Sequence, residues 1–386
     1  MRSTIFNSAA MLLTAGQAAS CMLYVSSYSG KVHTLNLTQS AGSEAPPAMA
    51  EVSASSGCGD NPSWLTLDHA NAALYCVDEG FNTGGSLNSL RTNTDGSLTS
   101  LNKAATKAGP VSAVFFGTNG LAMAHYGNGF STWNIAKPSA LKNVEFETYT
   151  GKGTDPDRQE GPHPHEAVLD PTKKYLLVPD LGLDQVHVYT FDGKTLKTSA
   201  QTALKAPAGS GPRHIAFATK GTKTFMYLIT ELTSNIIGYE VTYNNGIQFK
   251  QIFAHGVHGE GKPNVKGAYA AEIVVSPDNK FLIASSRGDN TFDINAFGAK
   301  GTIKSDPLIN YSIGDDGKLT VLQDVACGGS YPRQFSMNKA GTRVAVGLQK
   351  DHRVVVIERD TKTGKLGKFV SYANIEGEVT SVVFNE

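Results

Sequence analysis

A pattern of paired apolar runs recurs along most of this chain with a period of about fifty residues. Six segments each hold a short apolar run, a polar turn such as "DPTKK" or "SPDNK", and a second apolar run. Each segment therefore predicts an antiparallel hairpin. Such a repeat constrains the fold strongly, because each unit must bury its apolar faces against its neighbours. Equivalent positions at the start of the first run, 48 to 62 residues apart, are Ser63, Val111, His165, Arg213, Ala271 and Arg333.

The size of the unit and the two chain ends predict the architecture. Units of this length with three or four strands are typical of β-propeller blades. The chain begins with "CMLYVSSYSGKVHTLNL", a second and third strand without a first, and ends with "VTSVVFNE", a first strand without partners. We therefore predict an all-β fold, a seven-bladed β-propeller closed by strands from both termini. The alternative, a β-sandwich or two β-domains, would not need such regular units.

Composition agrees with this prediction and excludes some functions. Forty glycines and many Thr, Val and Tyr residues favour strands and turns. No long stretch has an apolar period of 3.6, so we expect no substantial helix. With 34 basic and 34 acidic side chains, the chain has no net charge, and nucleic acid is a poor candidate partner. Residues 21–386 are expected to form one domain, with residues 40–57 as a surface loop between the first two blades.

The first twenty residues differ from the rest. Residues 1–20 contain Arg2, a short apolar run and small residues near position 20, which together predict a secretory signal peptide and a secreted, extracellular or cell-wall protein. The run is too short for a membrane span. The sequons at Asn36 and Asn310 would then be N-glycan acceptors. The chain contains four cysteines, Cys21, Cys58, Cys76 and Cys327. Their disulfide pairing cannot be read from their spacing, and none of them has the spacing of metal ligands.

Hairpin geometry places two sets of positions at one mouth of the channel. The first strand of each blade lines the channel, and its start lies beside the end of the second strand. We therefore expect the residues that end the second strands to join the repeat positions given above. These residues are Tyr28, Glu79, Tyr126, Asp180, Glu231, Arg287 and Gln349.

The charged members of these sets indicate a site for a small anion. Arg213, Arg287 and Arg333 present planar guanidinium groups, which bind carboxylate or phosphate through two hydrogen bonds. His165 and Glu231 are suited to proton transfer. A channel lined with polar groups that only hold water is the structural alternative. No metal or cofactor is predicted, because no third ligand matches the histidines at 163 and 165.

The repeat predicts less direct roles for three neighbouring side chains. Asp180 is predicted either to contact the substrate or to orient His165 or an arginine. Strand alternation would turn His214 and Glu166 away from the face that carries His165 and Arg213. We therefore expect a packing role for His214 and a structural or surface role for Glu166.

Several of these segments resemble a known family. "GPRHIAF" followed by "YLITEL", then "VVSPDNKFLIASSRGDNTF" and "YLLVPDLGLDQVHVY" resemble the seven-bladed lactonase propellers, which include carboxy-cis,cis-muconate cyclase and a 6-phosphogluconolactonase. The resemblance covers nearly all of residues 22–386. It implies a catalytic histidine, two arginines and a glutamate at His165, Arg213, Glu231 and Arg287.

The resemblance implies an enzyme and leaves its reaction open. In a cyclase, Arg213 and Arg287 would hold substrate carboxylates while His165 delivers a proton to a double bond. In a lactonase, Glu231 or His165 would activate water and an arginine would stabilise the oxyanion. We take a muconate cyclase-like reaction as the first expectation and a 6-phosphogluconolactonase-like hydrolase as the alternative. A secreted glycoprotein that binds partners without turnover is a third possibility.

Overall fold

The computed structural model describes residues 21–37, 46–81, 84–107 and 109–386. Within these ranges the chain forms thirty-one β-strands and no helix. The described part therefore has no helix that is long and apolar enough to cross a membrane. The predicted signal peptide, residues 1–20, lies outside the described residues, so export stays a prediction.

Seven sheets of four or five antiparallel strands form the blades, and a two-stranded hairpin forms an eighth sheet. The strands of blade one, from the channel outwards, are β31 (Val379–Phe384), β1 (Met22–Ser27), β2 (Lys31–Asn36) and β3 (Ala50–Ser55). Blade two contains β4 (Pro62–Asp68), β5 (Ala73–Asp78), β6 (Ser86–Thr92) and β7 (Leu98–Ala105). Blade three contains β8 (Pro110–Phe116), β9 (Gly120–His125), β10 (Gly129–Asn134) and β11 (Lys142–Thr148).

The remaining four blades follow in chain order. Blade four contains β12 (Val168–Leu169), β13 (Tyr175–Asp180), β14 (Gln185–Phe191), β15 (Thr198–Ala200) and β16 (Leu204–Lys205). Blade five contains β17 (Pro212–Lys220), β18 (Lys223–Thr230), β19 (Asn235–Thr242) and β20 (Gln248–Gly256). Blade six contains β21 (Tyr269–Val275), β22 (Phe281–Arg287), β25 (Pro307–Ile313) and β26 (Leu319–Ala326), with the extra hairpin β23 (Phe292–Asn295) and β24 (Thr302–Ser305). Blade seven contains β27 (Pro332–Met337), β28 (Arg343–Leu348), β29 (Arg353–Arg359) and β30 (Leu366–Asn374).

The predicted closure of the ring is confirmed. Strand β31, from the end of the chain, pairs with β1 from its beginning, with Phe384 opposite Leu23. The inner strand of blade one also contacts β27 of blade seven and β4 of blade two. The two termini thus complete one sheet, which removes the exposed edge that an open ring would leave.

The hydrophobic core lies between neighbouring blades. Phe225, Tyr227 and Ile229 alternate along β18 and pack against Leu282 and Ala284 on β22 of the next blade. The second strand of each blade is covered on both faces, so its sequence is almost continuously apolar instead of alternating. Burying one such side chain contributes about 2 kcal/mol of transfer free energy, which holds the blades in a ring.

Two details differ from the predicted pattern. Residues 50–55 form the outer strand of blade one, so the expected surface loop is partly a strand. In blade four the inner strand is reduced to residues 168–169 and a single bridge between Pro164 and Asp180. Two prolines in this segment, at 162 and 164, have no backbone N–H to donate to a sheet.

The structure also shows the pairing of the cysteines and the environment of the sequon at Asn310. Cys58 and Cys76 form a disulfide, a pairing that their spacing alone did not reveal, whereas Cys21 and Cys327 are free. Asn310 is fully buried, and its amide donates to the Gly364 carbonyl oxygen at 2.6 Å. The predicted glycan at Asn310 is therefore wrong, because the folded blade has no space for it. The predicted glycan at Asn36 stays a prediction.

Candidate active site

One end of the central channel contains a cavity of about 320 Å³. Five predicted site residues line it together: His165, Arg213, Glu231, Arg287 and Arg333. The other lining residues are Tyr28, Glu79, Phe81, Val111, Tyr126 and Arg158. The channel mouth predicted from the repeat therefore exists, and the chemical roles of its residues stay predictions.

Bulges near the start of the inner strands decide which side chains reach this end of the channel. The register of β17 against β18 shifts between Pro212 and His214, so Arg213 is the extra residue of a bulge. Equivalent shifts occur at the start of β4, β8, β21 and β27. A bulge interrupts strict alternation and re-aims its side chain. Arg213 and His214, although adjacent in sequence, are consequently both buried in the channel region.

Glu231 is the anionic centre of an arginine cluster. Its Oε1 accepts a hydrogen bond from Arg158 Nη2 at 2.6 Å. Its Oε2 accepts one from Arg213 Nε at 2.9 Å and lies 3.0 Å from Arg287 Nη2. Burial by itself would raise the pKa of Glu231, but the charges of Arg287 and Arg213 outweigh it and lower the pKa to about 2. Glu231 is therefore a carboxylate of low basicity that orients the three guanidinium groups.

Arg158 is the site residue that sequence reasoning missed. It lies on the loop between β11 and β12, and its guanidinium carbon is 5.7 Å from the centre of the Tyr269 ring. The loop is held by buried Gln159, which accepts from the backbone N–H groups of Thr154 and Asp155 and donates to the Leu181 carbonyl oxygen. Since Arg158 falls at no repeat position, the sequence offers no signal for it beyond the charged composition of this loop.

A second ion pair, between Arg333 and Glu79, also lines the cavity. Arg333 Nη2 is 3.3 Å from Glu79 Oε1, which also accepts a hydrogen bond from the Tyr28 hydroxyl at 2.7 Å. Burial raises the pKa of Glu79, although the charge of Arg333 opposes this effect. Four guanidinium groups and two carboxyl groups thus line the cavity, which leaves an excess of at least two positive charges (4 − 2).

His165 is the histidine that lines the cavity. Its Nδ1 is 3.2 Å from His214 Nε2, so the two rings share one hydrogen bond. Nε2 makes no hydrogen bond to any of the described residues, and the ring lines the cavity. Burial, followed by the charge of Arg213, lowers the pKa of His165 well below its usual value. At neutral pH the imidazole therefore keeps a free nitrogen lone pair.

The structure places Asp180 outside the cavity. Its Oδ1 accepts from the backbone N–H groups of His163, Gly182 and Leu183 at 2.8 to 3.1 Å, and its Oδ2 lies 3.1 Å from His187 Nε2. The predicted substrate contact of Asp180 is therefore wrong, as is its predicted contact with His165. This fully buried carboxylate with four donors stabilises the turn between β13 and β14 and connects it to the segment before β12.

His214 and Glu166 also differ from their predicted positions. The bulge at Arg213 turns the His214 ring into the channel, where it lies between His165 and Glu272 instead of only packing. Glu166 accepts a hydrogen bond from the Ile215 N–H at 2.7 Å, and its carboxyl is 4.0 Å from His214 Nδ1. Glu166 and Glu272 line a second cavity of about 440 Å³ further along the channel.

Comparisons with known proteins agree with this architecture. The profile of the family described as "Lactonase, 7-bladed beta-propeller" matches residues 22–384. A protein named "Probable 6-phosphogluconolactonase" from Arthroderma benhamiae is 29% identical over 363 residues, which cover 92% of this chain and 86% of that protein. The 6-phosphogluconolactonase of Bacillus subtilis is 26% identical over 79% of this chain and 82% of its own length.

A solved structure shows the same fold. The periplasmic gluconolactonase of Pseudomonas aeruginosa superposes with a TM-score of 0.76 at 24% identity, over 95% of this chain and 99% of that protein. The family profile spans nearly the whole propeller, including all seven blades. This chain belongs to the seven-bladed β-propeller lactonase family.

Proposed function

We propose that this protein hydrolyses a small anionic lactone, with phosphorylated sugar lactones such as 6-phosphogluconolactone as the first substrate class. The observation that carries the proposal is the cavity itself, in which a neutral histidine lies beside an arginine cluster with excess positive charge. The names of the two sequence relatives support the same reaction class.

The excess charge favours an anion of charge two, such as a phosphate monoester. Arg213 Nη2 and Arg287 Nη1 make no hydrogen bonds to the described residues, whereas the other guanidinium nitrogens of both side chains donate hydrogen bonds. These free donors can bind the anionic group or the oxyanion of a tetrahedral intermediate. Because Glu231 already holds both guanidinium groups in place, little reorganisation is needed when charge develops on the substrate.

His165 is the proposed general base. Its Nε2 would take a proton from water as the oxygen attacks the lactone carbonyl carbon. Glu231 is a weaker candidate for this role, because both of its oxygens are engaged by arginines and its pKa is depressed. In hydrolysis the role of Glu231 is therefore to position the arginines.

Hydrolysis is favoured over lactone formation by a cyclase. Both reactions would use the arginines to hold an anion, so the cavity geometry alone does not distinguish them. The relatives described above are named as lactonases, and they support the hydrolase alternative of the sequence analysis more than its muconate cyclase expectation. Carboxymuconate remains a useful comparison substrate, and a partner-binding protein without turnover would be inactive on every lactone.

The substrate class can be tested through Arg158. Arg158→Ala is expected to raise KM for 6-phosphogluconolactone about tenfold, because it removes one of the four positive charges that line the cavity and the hydrogen bond from Arg158 to Glu231. The effect on unphosphorylated gluconolactone should be smaller. Arg91→Ala, which removes an exposed arginine far from the cavity on β6, is the matched control. Wild-type protein that hydrolyses none of these lactones would overturn the proposed function.

We further propose that the protein acts outside the cytosol. The Cys58–Cys76 disulfide supports this proposal, because such bonds persist in oxidising compartments. The N-terminal sequence is the second support. Sequencing the mature protein from the native host should find a start near residues 18 to 20, whereas a mature chain that retains residues 1–15 would contradict export by cleavage.

A further inference from the structure

A chain of buried polar contacts connects the two cavities of the channel. His165 lines the mouth cavity, and its Nδ1 is 3.2 Å from His214 Nε2. His214 Nδ1 is 2.8 Å from Glu272 Oε1, and Glu272 lines the second cavity. The three side chains come from blades four, five and six. Their donors and acceptors are arranged in one direction if each imidazole carries its proton on Nδ1.

The hydrogen-bonding pattern of His214 and Glu272, at the inner end of this series of contacts, goes beyond what close packing requires. His214 is 1% exposed and Glu272 is 3% exposed. Glu272 Oε1 accepts from His214 and from the Ile273 N–H at 3.0 Å, whereas Oε2 has no hydrogen-bond partner among the described residues. A buried carboxylate oxygen without a partner is costly and calls for an explanation. An oxygen that is free to receive a proton is one.

We propose that His165, His214 and Glu272 form a proton relay that carries the proton of the attacking water away from the mouth cavity. This inference rests on the proposed lactone hydrolysis and adds two positioning residues to it, His214 and Glu272. Both act through His165 and do not touch the substrate.

Every proton is accounted for over one turnover of this relay. When water attacks the lactone carbonyl, its proton moves to His165 Nε2, the Nδ1 proton of His165 moves to His214 Nε2, and the Nδ1 proton of His214 moves to Glu272. His165 then carries a proton on Nε2 and is an acid. As the ring C–O bond breaks, His165 Nε2 gives that proton to the departing alkoxide, and the other two protons return in reverse order. The new carboxylic acid loses its remaining proton to solvent.

The arginines explain why such a relay is needed. An imidazolium at His165 would lie near Arg213, Arg333 and Arg287, whose charges lower its pKa in addition to burial. Transfer to Glu272 neutralises a negative charge two side chains away and leaves both histidines neutral. His214 itself faces Arg213, Glu166, Glu272 and Arg333, and burial lowers its pKa more than Glu272 raises it. His214 is therefore suited to pass a proton on and not to keep it.

Glu272→Gln tests the relay, and Glu166→Gln is the matched control. Glutamine keeps the shape and the acceptor for His214 but cannot take the proton, so we expect kcat to fall about a hundredfold with little change in KM. Glu166 lies beside this chain of contacts, and its hydrogen bond from the Ile215 N–H can be kept by the amide oxygen of glutamine, so Glu166→Gln should leave kcat unchanged. Urea unfolding of both variants controls for stability.

Solvent isotope measurements distinguish proton transfer to Glu272 from a purely structural role of this residue. In mixtures of H₂O and D₂O, a curved dependence of kcat on deuterium fraction is expected for the wild type, because several protons move in one step. Glu272→Gln should give a weaker, straight dependence. A Glu272→Gln variant with kcat within about threefold of wild type, or an equal loss in Glu166→Gln, would overturn the relay.

An NMR measurement does not depend on turnover. The Nδ1 proton of His214 should give a resonance at unusually low field, which moves upfield in Glu272→Gln and stays in place in Glu166→Gln. Absence of this resonance in the wild type would also overturn the relay. If the resonance is present but the wild type hydrolyses no lactone, the proposed function is overturned while the hydrogen-bonded chain remains.

Discussion

His165→Gln is expected to lower kcat for lactone hydrolysis by about two to four orders of magnitude, the usual contribution of a general base. Glutamine retains a polar group that can bond to His214 but has no basic nitrogen. Because the arginine cluster is untouched, KM should change little. Steady-state kinetics on 6-phosphogluconolactone would measure both parameters.

His163→Gln is the control for this variant. His163 lies two residues away on the same segment, but its ring stacks on Tyr126 at 4.3 Å between centroids and does not line the mouth cavity. Its loss should leave kcat near the wild-type value. If His165→Gln retains more than about a tenth of wild-type kcat, His165 is not the base.

Glu231→Gln is expected to destabilise the fold by about 3 kcal/mol at pH 7. Three arginines contact this buried carboxylate, and removing one partner of a buried ion pair leaves uncompensated charge. A shift of the Glu231 pKa from 4.5 to about 2 corresponds to a similar free energy, about 3 kcal/mol. Urea unfolding at pH 7 would measure the loss, and the exposed Glu260→Gln is the charge-matched control.

The same residue predicts a pH dependence of stability. Because the folded pKa of Glu231 is depressed, its contribution is complete above about pH 4.5 and is lost as the pH falls towards 2. The free energy of unfolding of the wild type should decline through this window more steeply than that of Glu231→Gln. Parallel declines in the two proteins would show that Glu231 does not carry this stability.

Much of the site could be predicted because it follows the repeat. Arg213 and Arg333 begin inner strands, and Glu231 and Arg287 end second strands, so hairpin geometry alone places them at one mouth. The same rule failed for Asp180. That side chain ends a second strand as predicted, but its oxygens accept hydrogen bonds from the turn of its own blade.

The errors at His214 and Glu166 both arise where the inner strand is irregular. Alternation predicts the direction of a side chain only while the register is regular, and a bulge at Arg213 interrupts it. No local signal in "GPRHIAF" marks the bulge except Pro212, which cannot donate to the ladder. Glu166 follows an irregular segment in blade four, where the inner strand is only two residues long. Its carboxyl is therefore directed by the contact with Ile215 of the next blade.

By itself, the sequence determined the fold class, the number of blades, the closure by both termini and five of the polar residues that line the channel mouth. These features depend on strand periodicity and on spacing, which are local and repeated. Only the tertiary structure decided the pairing of Cys58 with Cys76, the entry of Arg158 from a loop, and the contacts of His214 with His165 and Glu272. These contacts join residues from different blades or from outside the repeat, so the spacing within a single repeat unit does not reveal them.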